Sequence, residues 1–199
     1  MKACAPAAER NKSAILTALH AVLPKRAEIL ELAAGTGQHA AHMTAAMPGW
    51  RWQPTDSDPA ALASLAAYQA EAGENFLLPL ALDVTMEVWP VSRRYDAIYA
   101  ANLIHIAPWA AARGVLAGAH RHLAPGGRLL LYGPFLINGQ TAPSNRAFDQ
   151  SLKRQDPRWG VRELNELIAA APPTLSFDQA LALPANNHLL VFHQFLSGV

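Results

Sequence analysis

Hydrophobic positions along this chain alternate between two periods. In residues 8–23, Ile15, Leu16, Leu19, Val22 and Leu23 recur at helical spacing, which predicts an amphipathic helix stopped by Pro24. Ala27-Glu28-Ile29-Leu30 then reads as the end of a short buried strand. The run from Gln38 reads as a helix to about Ala46, broken by Met47-Pro48-Gly49. Trp50 to Thr55 is a second strand, running into Asp56-Ser57-Asp58-Pro59. Residues 59–72 form a helix with Leu62, Leu65 and Tyr68 on one side, ended by Gly73. Residues 76–82 are a third strand closed by Asp83-Val84, and residues 95–101 a fourth. Residues 110–123 are helical, and Pro125-Gly126-Gly127 turns the chain into a fifth strand at 128–132. Residues 133–160 are irregular, with a short helix expected over 148–155. A helix over 161–171 follows. Two strands at 175–183 and 188–195 are joined as a hairpin by Pro184-Ala185-Asn186-Asn187. Strands alternating with helices predict an α/β fold built on a largely parallel sheet.

The turn between the first strand and its helix carries the densest chemistry, Glu31-Leu-Ala-Ala-Gly-Thr-Gly37. Gly35 and Gly37 can take positive φ and let a polar ligand approach the backbone. The helix N-terminus beyond them offers unpaired N–H groups and a field that favours negative charge. Glu31 can hold an ammonium group or a hydroxyl. Asp56 lies about 20 residues beyond the loop, at a strand's C-terminal end, where a carboxylate can accept both ribose hydroxyls. Asp58, followed by Pro59, is expected to cap the next helix. Read alone, the loop indicates a nucleotide-containing ligand. Gly35-x-Gly37-x-x-Ala40 also fits a nicotinamide-dinucleotide fingerprint.

Composition narrows the field. A chain of 199 residues with 51% hydrophobic content is expected to form one domain with a substantial core. A formal net charge of +1 gives no reason to expect a duplex nucleic acid. The single cysteine, Cys4, cannot form an internal disulfide, which fits a reducing compartment. No apolar stretch is long enough for a transmembrane helix. Glu9, Arg10, Asn11 and Lys12 stand where a signal peptide would need its apolar segment, so the default location is cytoplasmic. The eight histidines form no recognised ligand set, although His39 and His42 could share a helix face, and no metal is expected.

The spacing acid-x-small-x-Gly-x-Gly resembles the first motif of class I S-adenosylmethionine-dependent methyltransferases, with Ala33 in place of the usual first glycine. Leu123-Ala124-Pro125-Gly126-Gly127 before an apolar strand resembles them further. A larger set is similar to a family of short class I methyltransferases without an assigned substrate. It comprises Arg10-Asn11-Lys12, Gly35-Thr-Gly-Gln-His39, Trp52-Gln-Pro-Thr-Asp56, Leu82-Asp83-Val84, Asn102-Leu-Ile-His-Ile106 with Pro108-Trp109, Tyr132-Gly-Pro-Phe135, Ser144-Asn145 and Asp156-Pro-Arg-Trp-Gly160. The resemblance implies a Rossmann-like, doubly wound, seven-stranded sheet of order 3-2-1-4-5-7-6 with the last strand antiparallel. It implies S-adenosylmethionine as cofactor and S-adenosylhomocysteine as product. Glu31, Ala33, Gly35, Thr36, Gly37, Asp56, Ser57 and Asn102 would bind the cofactor. Asp83 would accept from the adenine amino group and Val84 would offer its backbone N–H to the ring.

The acceptor is expected to be a small molecule. Its pocket would be walled by a helical cap at residues 1–23 and by residues 133–160. Arg10, Asn11, His39, Trp109, Asn145, Arg158 and Trp159 are the candidate substrate contacts, and Phe135 is a further wall candidate. His105 is the first candidate for general base, since an unperturbed imidazole titrates near neutral pH. His39 is the second. Two rival functions share the fold: a nicotinamide-dependent oxidoreductase and a non-catalytic S-adenosylmethionine-binding protein.

Overall fold

The computed structural model describes residues 1–195. Residues 196–199, the end of the expected domain, lie outside the described residues. Seven strands form one sheet: β1 (Ala27–Leu32), β2 (Trp50–Asp56), β3 (Leu80–Ala81), β4 (Tyr95–Ala101), β5 (Leu123–Gly133), β8 (Leu175–Leu183) and β9 (Asn187–Gln194). Their order is β3-β2-β1-β4-β5-β9-β8. β1 through β5 are parallel, and β9 runs antiparallel to both β5 and β8. This is the Rossmann-like methyltransferase order that the sequence implied.

Alternation along the strands sorts the core onto two faces. Ile29, Trp52, Tyr99, Tyr132 and Val191 pack under α1 (Pro6–Val22), α2 (Gln38–Ala46) and α3 (Pro59–Gln69). Leu30, Leu32, Ile98, Leu129, Leu131 and Leu190 pack under α4 (Trp109–His122) and α6 (Leu164–Ala170). Strands buried on both faces carry near-continuous apolar runs, so strand runs such as Leu129-Leu130-Leu131 lack the polar alternation of a one-sided sheet. On the second face α4 approaches very closely. A Cβ at Gly118 would stand 2.0 Å from the Trp89 indole, so only glycine fits there.

Four expectations change. The third strand shortens to Leu80–Ala81, with one isolated bridge between Trp52 and Phe76. Pro79 removes a backbone donor, and Leu78 is exposed at the sheet's edge. The fifth strand begins earlier, at Leu123. Its register against β4 jumps from Leu123 to Arg128, so Pro125-Gly126-Gly127 is a bulge rather than a separating turn. Residues 133–160 are more regular than expected. They contain β6 (Phe135–Leu136), which pairs in parallel with β7 (Arg162–Glu163), and a full helix, α5 (Pro143–Gln155). The helix expected over 161–171 starts only after β7, at Leu164, where the Glu163 side chain caps it.

Candidate functional site

The loop after β1 sits at the C-terminal edge of the sheet, where open α/β sheets bind ligands. Ala33 takes φ 50°, Gly35 φ 57° and Gly37 φ 94°. The positive φ at Ala33 is the physical reason a glycine is usual there: an L-side chain is strained in this region. Gly37 opens α2 with no side-chain cap, so the helix's first N–H groups stay free. A Cβ at Gly35 would meet nothing within 4 Å, so that side of the loop is open to a ligand.

The β2 end anchors this loop. Asp56 is buried, its Oδ2 accepts the Gly35 N–H at 2.9 Å and its Oδ1 accepts the Asp58 N–H at 2.9 Å. Each oxygen keeps a lone pair for a further donor. Asp58 caps α3 through the Ala60 N–H, as the sequence predicts. Ser57 is exposed beside it. At the end of β3, Asp83 Oδ1 accepts the N–H and the hydroxyl of Thr85, and Val84 is buried next to it. Asn102 ends β4 in the left-handed region at φ 58°, and its N–H is held by the Tyr132 carbonyl at 2.8 Å.

Glu31 is the least expected feature. Only 2% of it is exposed, and its Oε2 accepts the Trp52 indole N–H at 2.7 Å. Burial pushes its carboxyl up to about 8; the Trp52 bond opposes this and the nearby Asp56 charge adds to it. A second carboxyl near Asp56 thus waits in its protonated form. Tyr99, the register partner of Glu31 on β4, is fully buried with an unpartnered hydroxyl, its ring edge-on to Trp52 and His39.

Beside this row, the sheet's C-terminal edge opens into a cavity of about 220 Å³ at the ends of β4 and β5. Arg10 and Asn11 of α1, Asn102, Tyr132, and Pro184, Ala185 and Asn187 of the β8–β9 turn line it. Asn11 Oδ1 bonds His39 Nε2 at 2.8 Å, and Asn11 and Tyr132 line the same cavity. Burial, assisted by His42 and Lys12, lowers His39 to about 4, so it is a neutral strut for Asn11. Gln38, within the Gly35-Thr-Gly-Gln-His39 run, latches α1 to the loop. Its amide donates to Glu9 and its carbonyl accepts from Ala5 and Thr36. A larger cavity of about 570 Å³ lies at the opposite edge of the sheet, lined by Arg26, Glu28, Arg51, Glu74 and Asp96, away from all of these groups.

Several expected substrate contacts have other employment. His105 has no exposure, and it packs edge-on to Phe135 at 4.9 Å with both ring nitrogens unpartnered. Burial lowers it to about 3, opposed by the Gly160 backbone, which makes it a weak and inaccessible base. Asn145 is buried and spends its amide on Thr141 Oγ1 and the Asn186 carbonyl, both at 2.9 Å, pinning α5 to the β8–β9 turn. Arg158 is exposed and closes a fork on its own neighbour Asp156, at 3.0 Å from Nε and 2.7 Å from Nη2. Trp159 follows it, half-buried. Trp109 stacks under Arg162, whose guanidinium binds the Ile104 and Ala107 carbonyls and braces the loop after β4. Arg162 is a positioning residue that sequence reasoning missed, because its partners are backbone carbonyls far away in the chain.

No three His, Cys, Asp or Glu side chains converge in metal-binding geometry among the described residues. Among the described residues no helix is long and apolar enough to cross a membrane.

Solved structures share this architecture. The pyocyanin biosynthetic protein PhzM superposes with a TM-score of 0.75 at 15% identity, covering 95% of this chain and 59% of its own. Human N-acetylserotonin methyltransferase, solved with SAM, gives 0.74 at 16% identity over 96% of this chain and 53% of its own. An O-methyltransferase family 2 protein from Planctomyces limnophilus, solved with apigenin, gives 0.69 at 22% identity over 92% and 62%. This chain therefore spans little more than half the length of these proteins, and the likeness is one of fold. A family model described as a protein of unknown function, DUF938, matches residues 2–194, and the chain belongs to that family.

Proposed function

We propose that this protein is a methyltransferase that uses S-adenosylmethionine and acts on a small molecule. The observation that carries the reading is the pair of buried carboxyl groups at adjacent strand ends. Asp56 is fixed by loop N–H groups with lone pairs to spare, and Glu31 is buried without a counter-charge. A ligand with an ammonium group and a ribose diol satisfies both. Glu31 would meet the ammonium, Gly35 to Gly37 would lie against the ligand's main chain, and Asp56 would take the ribose hydroxyls. Asp83 and Val84 would frame the adenine, with Ser57 at the rim. Bound there, S-adenosylmethionine supplies an electrophilic methyl group on a sulfonium.

The chain's own residues align and desolvate the acceptor, which is a proximity effect. α1 caps the site, Gln38 and Asn11 fix it to the loop and to α2, and Arg162 holds the loop after β4. The cavity's size suits a compact acceptor, and the apigenin-bound relative of like fold supports a small molecule. Calorimetry with S-adenosylhomocysteine, run beside NADH, tests the reading: tight binding of the first and none of the second is expected. NADH binding alone would replace the proposal with a dehydrogenase. Cofactor binding with no label transferred to any fraction of a cell extract would leave a non-catalytic binding protein.

A further inference from the structure

The cavity at the ends of β4 and β5 has an unusual balance of charge. Arg10 is its one charged residue, and among the described residues Arg10 makes no ion pair. No acid and no histidine lines it. Every nearby imidazole is disqualified as a base. His39 stands behind Asn11 and His105 is sealed behind Phe135, both neutral well below pH 7. His188 belongs by strand alternation to the other face, since Leu189 packs on the Tyr132 side. Tyr132 is held neutral by burial, so its phenol serves as an O–H donor.

A hydroxyl or ammonium acceptor must give up a proton as it is methylated, and this cavity has nothing to receive it. An acceptor that arrives as an anion needs no base. We propose that the acceptor is a small carboxylic acid, methylated on its own carboxylate oxygen to give a methyl ester, with Arg10 as the residue that selects for the acid. The inference rests on the methyltransferase reading above.

Arg10 engages one carboxylate oxygen, Tyr132 donates from the cavity wall, and the second oxygen is left as nucleophile. Its lone pair forms the new O–CH3 bond while the C–S bond breaks and its electron pair returns to sulfur. The negative charge of the acid and the positive charge of the sulfonium both disappear, and no proton moves. A cavity of about 220 Å³ equals about seven waters, so the acid is compact. The guanidinium is planar and always charged, with several N–H donors in one fixed plane, so it orients the oxygen it holds in a way an ammonium cannot reproduce.

Two measurements test this. The protein saturated with S-adenosylhomocysteine is titrated with benzoate and with benzamide, its uncharged analogue of the same shape. Benzoate should bind about 10-fold or more tightly than benzamide. Arg10→Ala should erase the preference and Arg10→Lys should restore part of it. Independently, methyl-labelled cofactor is incubated with the acidic small-molecule fraction of a cell extract, and the product is treated with alkali. Labelled methanol should be released, since an ester hydrolyses while methyl ethers and methylamines do not. Equal binding of the two probes, or a label that survives alkali, overturns the carboxylate assignment while the methyltransferase reading stands. Failure to bind S-adenosylhomocysteine overturns both.

Discussion

Replacing Glu31 with glutamine separates charge from shape at the most buried acid of the site. The amide oxygen can still accept the Trp52 N–H, but it has no proton to lose. In the ligand-free protein Glu31 ionises near 8, against an ordinary value of 4.5. Between those values the folded protein holds a proton that the unfolded chain has released. Stability of the ligand-free protein therefore falls as pH rises through that window, by about 1.4 kcal/mol per unit and of order 5 kcal/mol across it. Glu31→Gln removes the penalty and should be markedly the more stable protein at pH 8.5, with little advantage near pH 4.5. Ligand binding runs the other way. An ammonium partner needs the carboxylate, so at pH 6 binding must first expel a proton, at a cost on the order of 3 kcal/mol, or about 100-fold in affinity. Titration calorimetry with S-adenosylhomocysteine from pH 6 to pH 8.5 should show affinity climbing in the native protein. In Glu31→Gln it should be weaker at pH 8.5 and nearly flat. The ligand's own ionisation is common to both proteins and cancels in the comparison. Parallel profiles would refute the assignment of a protonated Glu31 as the ammonium partner.

Other substitutions test separate parts of the site and its support. Asp56→Ala should weaken S-adenosylhomocysteine by about 1.5–3 kcal/mol, because charge-assisted bonds are lost; unchanged affinity by calorimetry would remove Asp56 from the site. Ala33→Gly should raise stability by about 0.5–1 kcal/mol, since relief of the left-handed strain exceeds the entropy glycine adds to the unfolded chain. A lower unfolding midpoint in urea would contradict it. Gly118→Ala should cost about 1–2 kcal/mol net, overpacking against the Trp89 indole outweighing the gain in helix propensity; a variant as stable as its parent would mean that Trp89 can move aside.

The order of strands and helices was legible along the chain because it rests on local period. The apolar runs of β1, β4 and β5, the breakers at Pro24, Pro48 and Pro172, and the cap Asp58-Pro59 each act within a few residues. The spacing of the candidate-site loop was legible for the same reason: Glu31, Gly35 and Gly37 share one short segment, and Asp56 stands at the end of the next strand. Strand edges were less so. Only pairing with β2 decided that Phe76 to Pro79 would largely fall outside β3, and only pairing with β4 turned Pro125-Gly126-Gly127 into a bulge.

Side-chain employment was decided by tertiary structure alone. Sequence placed His105, Asn145 and Arg158 near the substrate side, and it could not say what would occupy them. His105 is closed off by Phe135, Asn145 is spent on a turn 41 residues away, and Arg158 on Asp156. Conversely Arg10, Asn11 and Tyr132, from α1 and β5, become one wall only when α1 crosses the sheet. Polarity and period are properties of a residue and its neighbours in the chain, so the sequence determines the elements and the loop chemistry. Desolvation, hydrogen-bond partners and the shift in a carboxyl's pKa depend on what distant segments bring against it, so those were settled only by the fold.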